Sequence, residues 1–181
     1  MNTYIAWLRG INVGGNKVIK MQDLKTALGT LSFRNVRTYI QSGNVVFESE
    51  ALTSDGLAEM ISVKIRETFG FAVPVMIRSL EELEAVIAGN PFPLSEPEEF
   101  KRLYVSFLAA EPAAEALEKL RPYGQGADQV RLIGKEMYTY YEVSVSESPL
   151  FKVPFDKLLG TELTARNWNT LNKVAALARK P

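Results

Sequence analysis

The sequence predicts an α+β fold of two subdomains, the first of them ferredoxin-like (βαββαβ). Three observations carry this. Over residues 1–89, short runs rich in β-branched and aromatic residues are interleaved with stretches of helical period. The turn Ser42-Gly43-Asn44 joins two such runs as a hairpin. The stretch Asn90-Pro91-Phe92-Pro93-Leu94, with the acidic Ser95–Glu99 after it, breaks both periods, because proline fixes its own φ and restricts the residue before it. The expected division is therefore 1–89 and 90–181.

In order, Thr3–Leu8 reads as a strand and is followed by the loop Arg9-Gly10-Ile11-Asn12-Val13-Gly14-Gly15-Asn16-Lys17. Lys20–Leu28 reads as a helix, with Met21, Leu24, Leu28 and Leu31 as its apolar stripe and Gly29 near its end. Val36–Gln41 and Val45–Glu48 are the hairpin strands. Ser54 is placed as the cap of a helix whose Leu57, Ile61, Ile65 and Phe69 recur every four residues, ended by Gly70. Val73–Ile77 is the fourth strand, and Ser79-Leu80-Glu81-Glu82 is a capping box opening a short helix toward Gly89.

The second subdomain begins with a strand at Arg102–Leu108 and a helix from Pro112 to Leu120. Gln129–Ile133 and Met137–Val143 form a hairpin around Gly134-Lys135. Leu150–Leu159 is weakly helical and interrupted by Pro154. Thr164 is placed as the cap of a final helix reaching about Ala178, with Trp168, Leu171, Val174, Ala175 and Ala178 toward the core. The expected order is βαββα plus this C-terminal helix, an echo of the first subdomain in element order without a repeat in sequence.

Composition bounds the chemistry. The chain has 181 residues, 46% hydrophobic and 23% charged, which is ordinary for a globular protein. No apolar run is long enough to span a bilayer, so no membrane partner is expected. The start Met1-Asn2-Thr3 lacks a basic signal region, and there is no cysteine; a cytoplasmic location is the default expectation. With neither histidine nor cysteine, a Ser-His-Asp triad, a thiol nucleophile and an imidazole or thiolate metal site are excluded. Any acid–base group would be Asp, Glu, Lys or Tyr.

Net charge is zero but unevenly placed. Residues 1–49 carry six basic and two acidic residues, 81–118 carry nine glutamates and two basic residues, and 152–181 carry six basic and two acidic residues. Charge runs are usually solvated faces. Here they also offer a basic surface, built from both ends of the chain, for an anion.

Three segments are candidate binding elements. The first holds Arg9, Asn12, Gly14, Gly15, Asn16 and Lys17. Glycine-rich backbone can turn N–H groups toward an anion while Arg9 and Lys17 supply charge. Gly10 and Gly15 have the separation of a P-loop, but Asn16 stands where lysine is needed and Val18 lacks the metal-binding hydroxyl, so triphosphate binding by that motif is rejected. The bland reading is a βα connection with positive φ at its glycines. The second segment holds Tyr39, Gln41, Ser42 and Asn44. Strand alternation puts Arg37, Tyr39 and Gln41 on one face, and Ile5, Trp7 and Arg9 on one face of the first strand. An open sheet with these residues would stack bases as RNA-recognition sheets do, but packing of this face against the second lobe is favoured, since an exposed tryptophan there is costly. The third holds Arg166, Asn167 and Asn169, read as a polar stripe with Thr170 and Lys173 at the start of the last helix. Its bland reading is side-chain bonding to backbone at the lobe junction. Glu96, Glu98 and Glu99 are read as a solvated linker, with no metal site.

These motifs together resemble the DUF 1697 family, a bacterial family of unknown function. The resemblance rests on Leu8-Arg9-Gly10-Ile11-Asn12-Val13-Gly14-Gly15, Tyr39-Ile40-Gln41-Ser42-Gly43-Asn44-Val45, Asn90-Pro91-Phe92 and Arg166-Asn167-Trp168-Asn169-Thr170, and spans nearly the whole chain. It implies an α+β fold with two subdomains and no assigned activity, cofactor or catalytic residue. One departure stands out: where the family often has a glycine-containing Ser-Lys-Leu segment, this chain reads Ser146-Glu147-Ser148-Pro149-Leu150-Phe151-Lys152.

The functional expectation is a binding protein for an anionic small molecule or nucleic acid, with the three segments converging on the ligand and no cofactor specified. One alternative is an enzyme in which Lys17, Tyr39 or a glutamate moves protons and Arg9 and Arg166 stabilise charge. Another is an interaction module that docks a partner on the proline-rich connection or a sheet edge.

Overall fold

The computed structural model describes residues 1–50 and 53–181. It contains two four-stranded antiparallel sheets and six α-helices. By its internal contacts the chain divides into residues 1–85 with 173–181, and residues 86–172.

The first unit runs β1 (Asn2–Leu8), α1 (Met21–Leu28), β2 (Arg34–Tyr39), β3 (Asn44–Ser49), α2 (Ser54–Phe69), β4 (Val75–Ser79) and the start of α3 (Leu80–Ala88). Its strand order, β2-β3-β1-β4, is that of a ferredoxin-like sheet. Tyr4, Ala6, Leu8, Val45 and Phe47 pack with Leu24 and Leu28 of α1 and Leu57, Ile61 and Ile65 of α2 in one core. The cap of α2 is Thr53, one residue before the expected Ser54: its side chain accepts from Gly56 N–H. β4 starts two residues after the expected Val73, because Pro74 has no N–H for the ladder. The capping box that opens α3 is formed, with Ser79 N–H donating to Glu82 at 2.8 Å and Glu82 N–H to Ser79 at 3.1 Å.

The second unit contains β5 (Leu103–Leu108), α4 (Ala114–Leu120), β6 (Gln129–Ile133), β7 (Glu136–Tyr140), α5 (Phe155–Leu159), β8 (Leu163–Asn167) and the start of α6 (Trp168–Arg179). Its strand order, β6-β7-β5-β8, repeats that of the first sheet. The expected helix start at Thr164 is instead inside β8. That strand was hidden because its buried positions hold Thr164 and Arg166, so no apolar alternation marks it. The helix cap is Asn167, whose side chain accepts from Thr170 N–H at 2.8 Å. Pro112 lies before α4 rather than in its first turn.

The echo extends to register. In the first sheet Arg37, Val46, Ile5 and Arg78 form one cross-strand row; in the second, Arg131, Tyr138, Val105 and Arg166 do. Arg78 and Arg166 are both buried, and each donates Nη1 to the carbonyl of the residue before it, at 2.8 and 2.9 Å. Burial alone lowers the Arg166 guanidinium to about 10.

The Asn90-Pro91-Phe92 stretch is a tight side-chain turn: Asn90 donates to the Phe92 carbonyl at 2.7 Å and accepts from its N–H at 2.9 Å. The Phe92 ring stacks on Tyr140, and Arg131 lies over it. Glu99 closes a short 3₁₀ turn, Pro97–Lys101, by accepting from the N–H groups of Ser95 and Glu96. Those backbone bonds, Glu96 first, lower its pKa.

Two tyrosines of this unit carry a pH prediction. Burial, aided by Glu136, raises the Tyr138 phenol to about 12, and its hydroxyl donates to Val86 O at 2.6 Å. Burial, aided by Tyr104 and Asp128, raises Tyr141 to about 12. The unfolded chain releases these protons near the ordinary value of 10.0. Stability linked to them is therefore complete below that pH and is lost as pH rises through about 12. An ultraviolet difference titration is expected to show these two of the seven tyrosines ionising last. One common transition for all seven would contradict the burial described.

Candidate functional site

The connection between β1 and α1 folds as a small hairpin of its own. Val13 and Asn16 form an antiparallel bridge, Asn16 N–H donates to Val13 O at 3.0 Å and Asn12 N–H to Lys17 O at 3.1 Å. Its tip is Gly14-Gly15, with φ of 58° and 76°. Two consecutive positive φ values define the turn that suits a two-residue hairpin, which is why glycine stands at both positions. Ile11 and Ile19, both buried, sew the base of the loop into the core of the first unit.

Asn12 is the brace. Its Nδ2 donates to Ile19 O at 3.0 Å and to Gln41 O at 2.8 Å, and its Oδ1 accepts from Ile19 N–H at 2.8 Å. It holds a left-handed φ of 56°, which asparagine tolerates better than most residues. The bond to Gln41 ties the loop to the β2–β3 turn. Lys17 also serves as a brace, its Nζ donating to Ala72 O at 2.8 Å. Within the turn, the buried Asn44 donates to Tyr39 O at 2.8 Å and to Ser42 Oγ at 3.0 Å. Leu8 N–H donates to Gly43 O at 2.9 Å.

The structure thus gathers Arg9, Asn12, Gly14, Gly15, Asn16, Lys17, Tyr39, Gln41, Ser42 and Asn44 onto the first unit, with loop and turn joined directly. Arg166, Asn167 and Asn169 belong to the second unit. Arg166 is buried on β8 rather than displayed on the last helix, Thr170 is buried, and Asn169 is exposed. The Trp7 face of the first sheet is closed: Trp7, Ile5, Val46 and Arg78 are buried, and an open base-stacking sheet is ruled out. Arg37 on this face donates to Leu177 O at 2.7 Å and Lys180 O at 3.0 Å, carbonyls at and just past the C-terminal end of α6.

Three residues escaped the sequence reading. Val13, Val18 and Ile40 are 64%, 61% and 49% exposed on this same loop and turn. The available signal was apolar residues set singly among glycine, asparagine and lysine, without the spacing of a core face. In the second unit, the divergent segment is built around Ser148. Its hydroxyl donates to Asp128 at 2.6 Å and accepts from Leu150 N–H at 3.1 Å. Among the described residues no three His, Cys, Asp or Glu are grouped to hold a metal ion, and no helix is long and apolar enough to cross a membrane.

The family model for DUF1697, described as a protein of unknown function, matches residues 1–138. A solved structure described as the conserved bacterial protein SP0830 from Streptococcus pneumoniae is similar over 98% of this chain and 99% of its own, with TM-score 0.77 and 24% identity. At that identity the likeness concerns fold alone. No match was found among curated proteins.

Proposed function

The chain belongs to the DUF1697 family, whose description assigns no activity, and from the geometry of the first unit we propose that it is a binding protein for a phosphate-bearing ligand, a nucleotide or nucleic acid, held on the rim formed by residues 9–20 and the turn 40–43. The observation that carries this reading is a comparison of the two sheets. They share strand order and register, yet the first unit uses residues 9–20 to pass from β1 to α1, where the second passes from β5 to α4 with 109–113. The hairpin turns differ in the same direction, 40–43 against 134–135. The fold needs only the shorter connections. The additional loop is also braced rather than slack, which suits a preorganised binding element.

The rim has the chemistry of an anion site. Residues 9–20 and 40–43 carry three basic residues, Arg9, Lys17 and Lys20, and no acidic residue. Side chains at Gly10, Gly14 and Gly15 would meet no atom within 4 Å, so a ligand has open approach to the backbone there. The test is a thermal-shift screen at low salt with inorganic phosphate, nucleotides and short single-stranded oligonucleotides. A ligand at one hundred times its Kd stabilises by about 2.7 kcal/mol, which raises Tm by roughly 5–11 °C at this size. The shift is expected to shrink with salt and to disappear in Lys20→Glu combined with Asn16→Asp, both exposed positions. No shift with any probe would overturn the proposal.

A further inference from the structure

We propose that the second unit carries a separate site for a free α-amino acid with an aliphatic side chain. A cavity of about 350 Å³ opens among Glu98, Lys101, Arg102, Glu142, Val143 and Ser144, with Val145 beside them. That volume lies in the range of small-ligand pockets. Two cations, two carboxylates and two valines line one space, which is the inventory a zwitterion with an aliphatic tail calls for.

The charges at this cavity are loosely paired. Lys101 Nζ lies 3.5 Å from Glu98, and Arg102 Nη1 lies 3.4 Å from the Glu142 carboxylate. Elsewhere in the chain Arg121–Glu118 and Arg179–Glu84 close to 2.8 and 2.7 Å. Charge-assisted bonds between nitrogen and oxygen settle near 2.7–2.9 Å. Both pairs at the cavity therefore stop short of full contact. Exposed pairs of this kind contribute little stability, so a ligand can replace them at little loss.

Arg102 is nevertheless held in place, because the same Nη1 donates to the Glu142 main-chain carbonyl at 2.8 Å. Ser144 precedes a short 3₁₀ turn, Val145–Glu147, without its side chain closing the cap, which leaves the hydroxyl for a ligand. Val143 is 46% exposed, an apolar surface for the ligand's side chain to cover. In this arrangement the ligand carboxylate reaches Lys101 and Arg102, its ammonium reaches Glu98 and Glu142, and its aliphatic group rests on Val143 and Val145. A ligand with one charge satisfies only half of the site.

The test uses the full chain, labelled with ¹⁵N, and titrates L-leucine, isopentylamine and 4-methylpentanoate separately. Leucine is expected to move the amides of residues 98–102 and 142–145, with each single-charge analogue at least tenfold weaker. Glu98→Gln and Lys101→Gln alter side chains 82% and 70% exposed, so they should keep the melting curve while weakening leucine about tenfold. Absence of shifts with leucine, shifts confined elsewhere, or analogues that bind as well as leucine would overturn the proposal.

Discussion

Gly43→Ala is expected to be the most damaging single-methyl change on this rim, destabilising the protein by about 2–5 kcal/mol. Two penalties combine. Gly43 has φ of +88°, a conformation that costs an L-residue about 1–2 kcal/mol. A Cβ there would also lie 2.8 Å from both Leu8 Cβ and Ile11 Cδ1, and overpacking of this kind typically adds about 1–3 kcal/mol. Neither neighbour can yield easily, since Leu8 and Ile11 are buried in the first core. Gly70→Ala provides the control. Its φ is +83°, but no atom lies within 4 Å of the added carbon, so only the conformational penalty of about 1–2 kcal/mol is expected. Urea denaturation of the two variants separates the contributions. Equal losses would contradict the close approach of turn and loop.

Asn12→Ala should destabilise by about 2–4 kcal/mol. It removes three hydrogen bonds, each worth about 0.5–1.5 kcal/mol net, and leaves alanine with φ of 56°. The Ile19 amide, which donates to Asn12 Oδ1, should lose protection against hydrogen exchange. Asn12→Gly relieves the backbone strain but not the missing bonds, so it should recover only part of the loss. Unchanged protection at Ile19 in both variants would show that Asn12 does not fasten the loop. The consequence reaches function, because the bond to Gln41 O is what joins the two halves of the proposed rim.

The first unit was largely legible because its elements obey local rules. Leu57, Ile61 and Ile65 announce α2 by their spacing and are buried on one face. Ser42-Gly43-Asn44 announces the hairpin, and Ser79 with Glu82 announces the α3 cap. The second unit was harder. β8 places Thr164 and Arg166 inward, so polarity concealed a strand and turned Thr164 into an apparent helix cap. Burial of Arg166 depends on where β8 meets β5, a long-range pairing that local patterns do not encode.

The same distinction holds at the site. Gly14-Gly15 at a turn could be read from residue type, and the loop's glycine, asparagine and basic content drew attention to it. That Asn12 and Lys17 would spend their side chains on Ile19, Gln41 and Ala72 carbonyls could not, since two of those three partners lie 29 and 55 residues away. The extra length of the β1–α1 connection was also out of reach of the sequence. It needed the two sheets in register before residues 9–20 could be recognised as longer than the fold requires.

This longer loop and its neighbouring turn are proposed to receive a phosphate-bearing ligand. The most direct measurement is an ¹H–¹⁵N titration of the full chain at low salt with a nucleoside monophosphate, and with inorganic phosphate in parallel. Shifts are expected to concentrate at Gly10, Gly14, Gly15, Asn16 and residues 41–43 and to diminish with added salt. Shifts that spare these residues, or none at all with either probe, would contradict this reading and leave the loop without the role proposed.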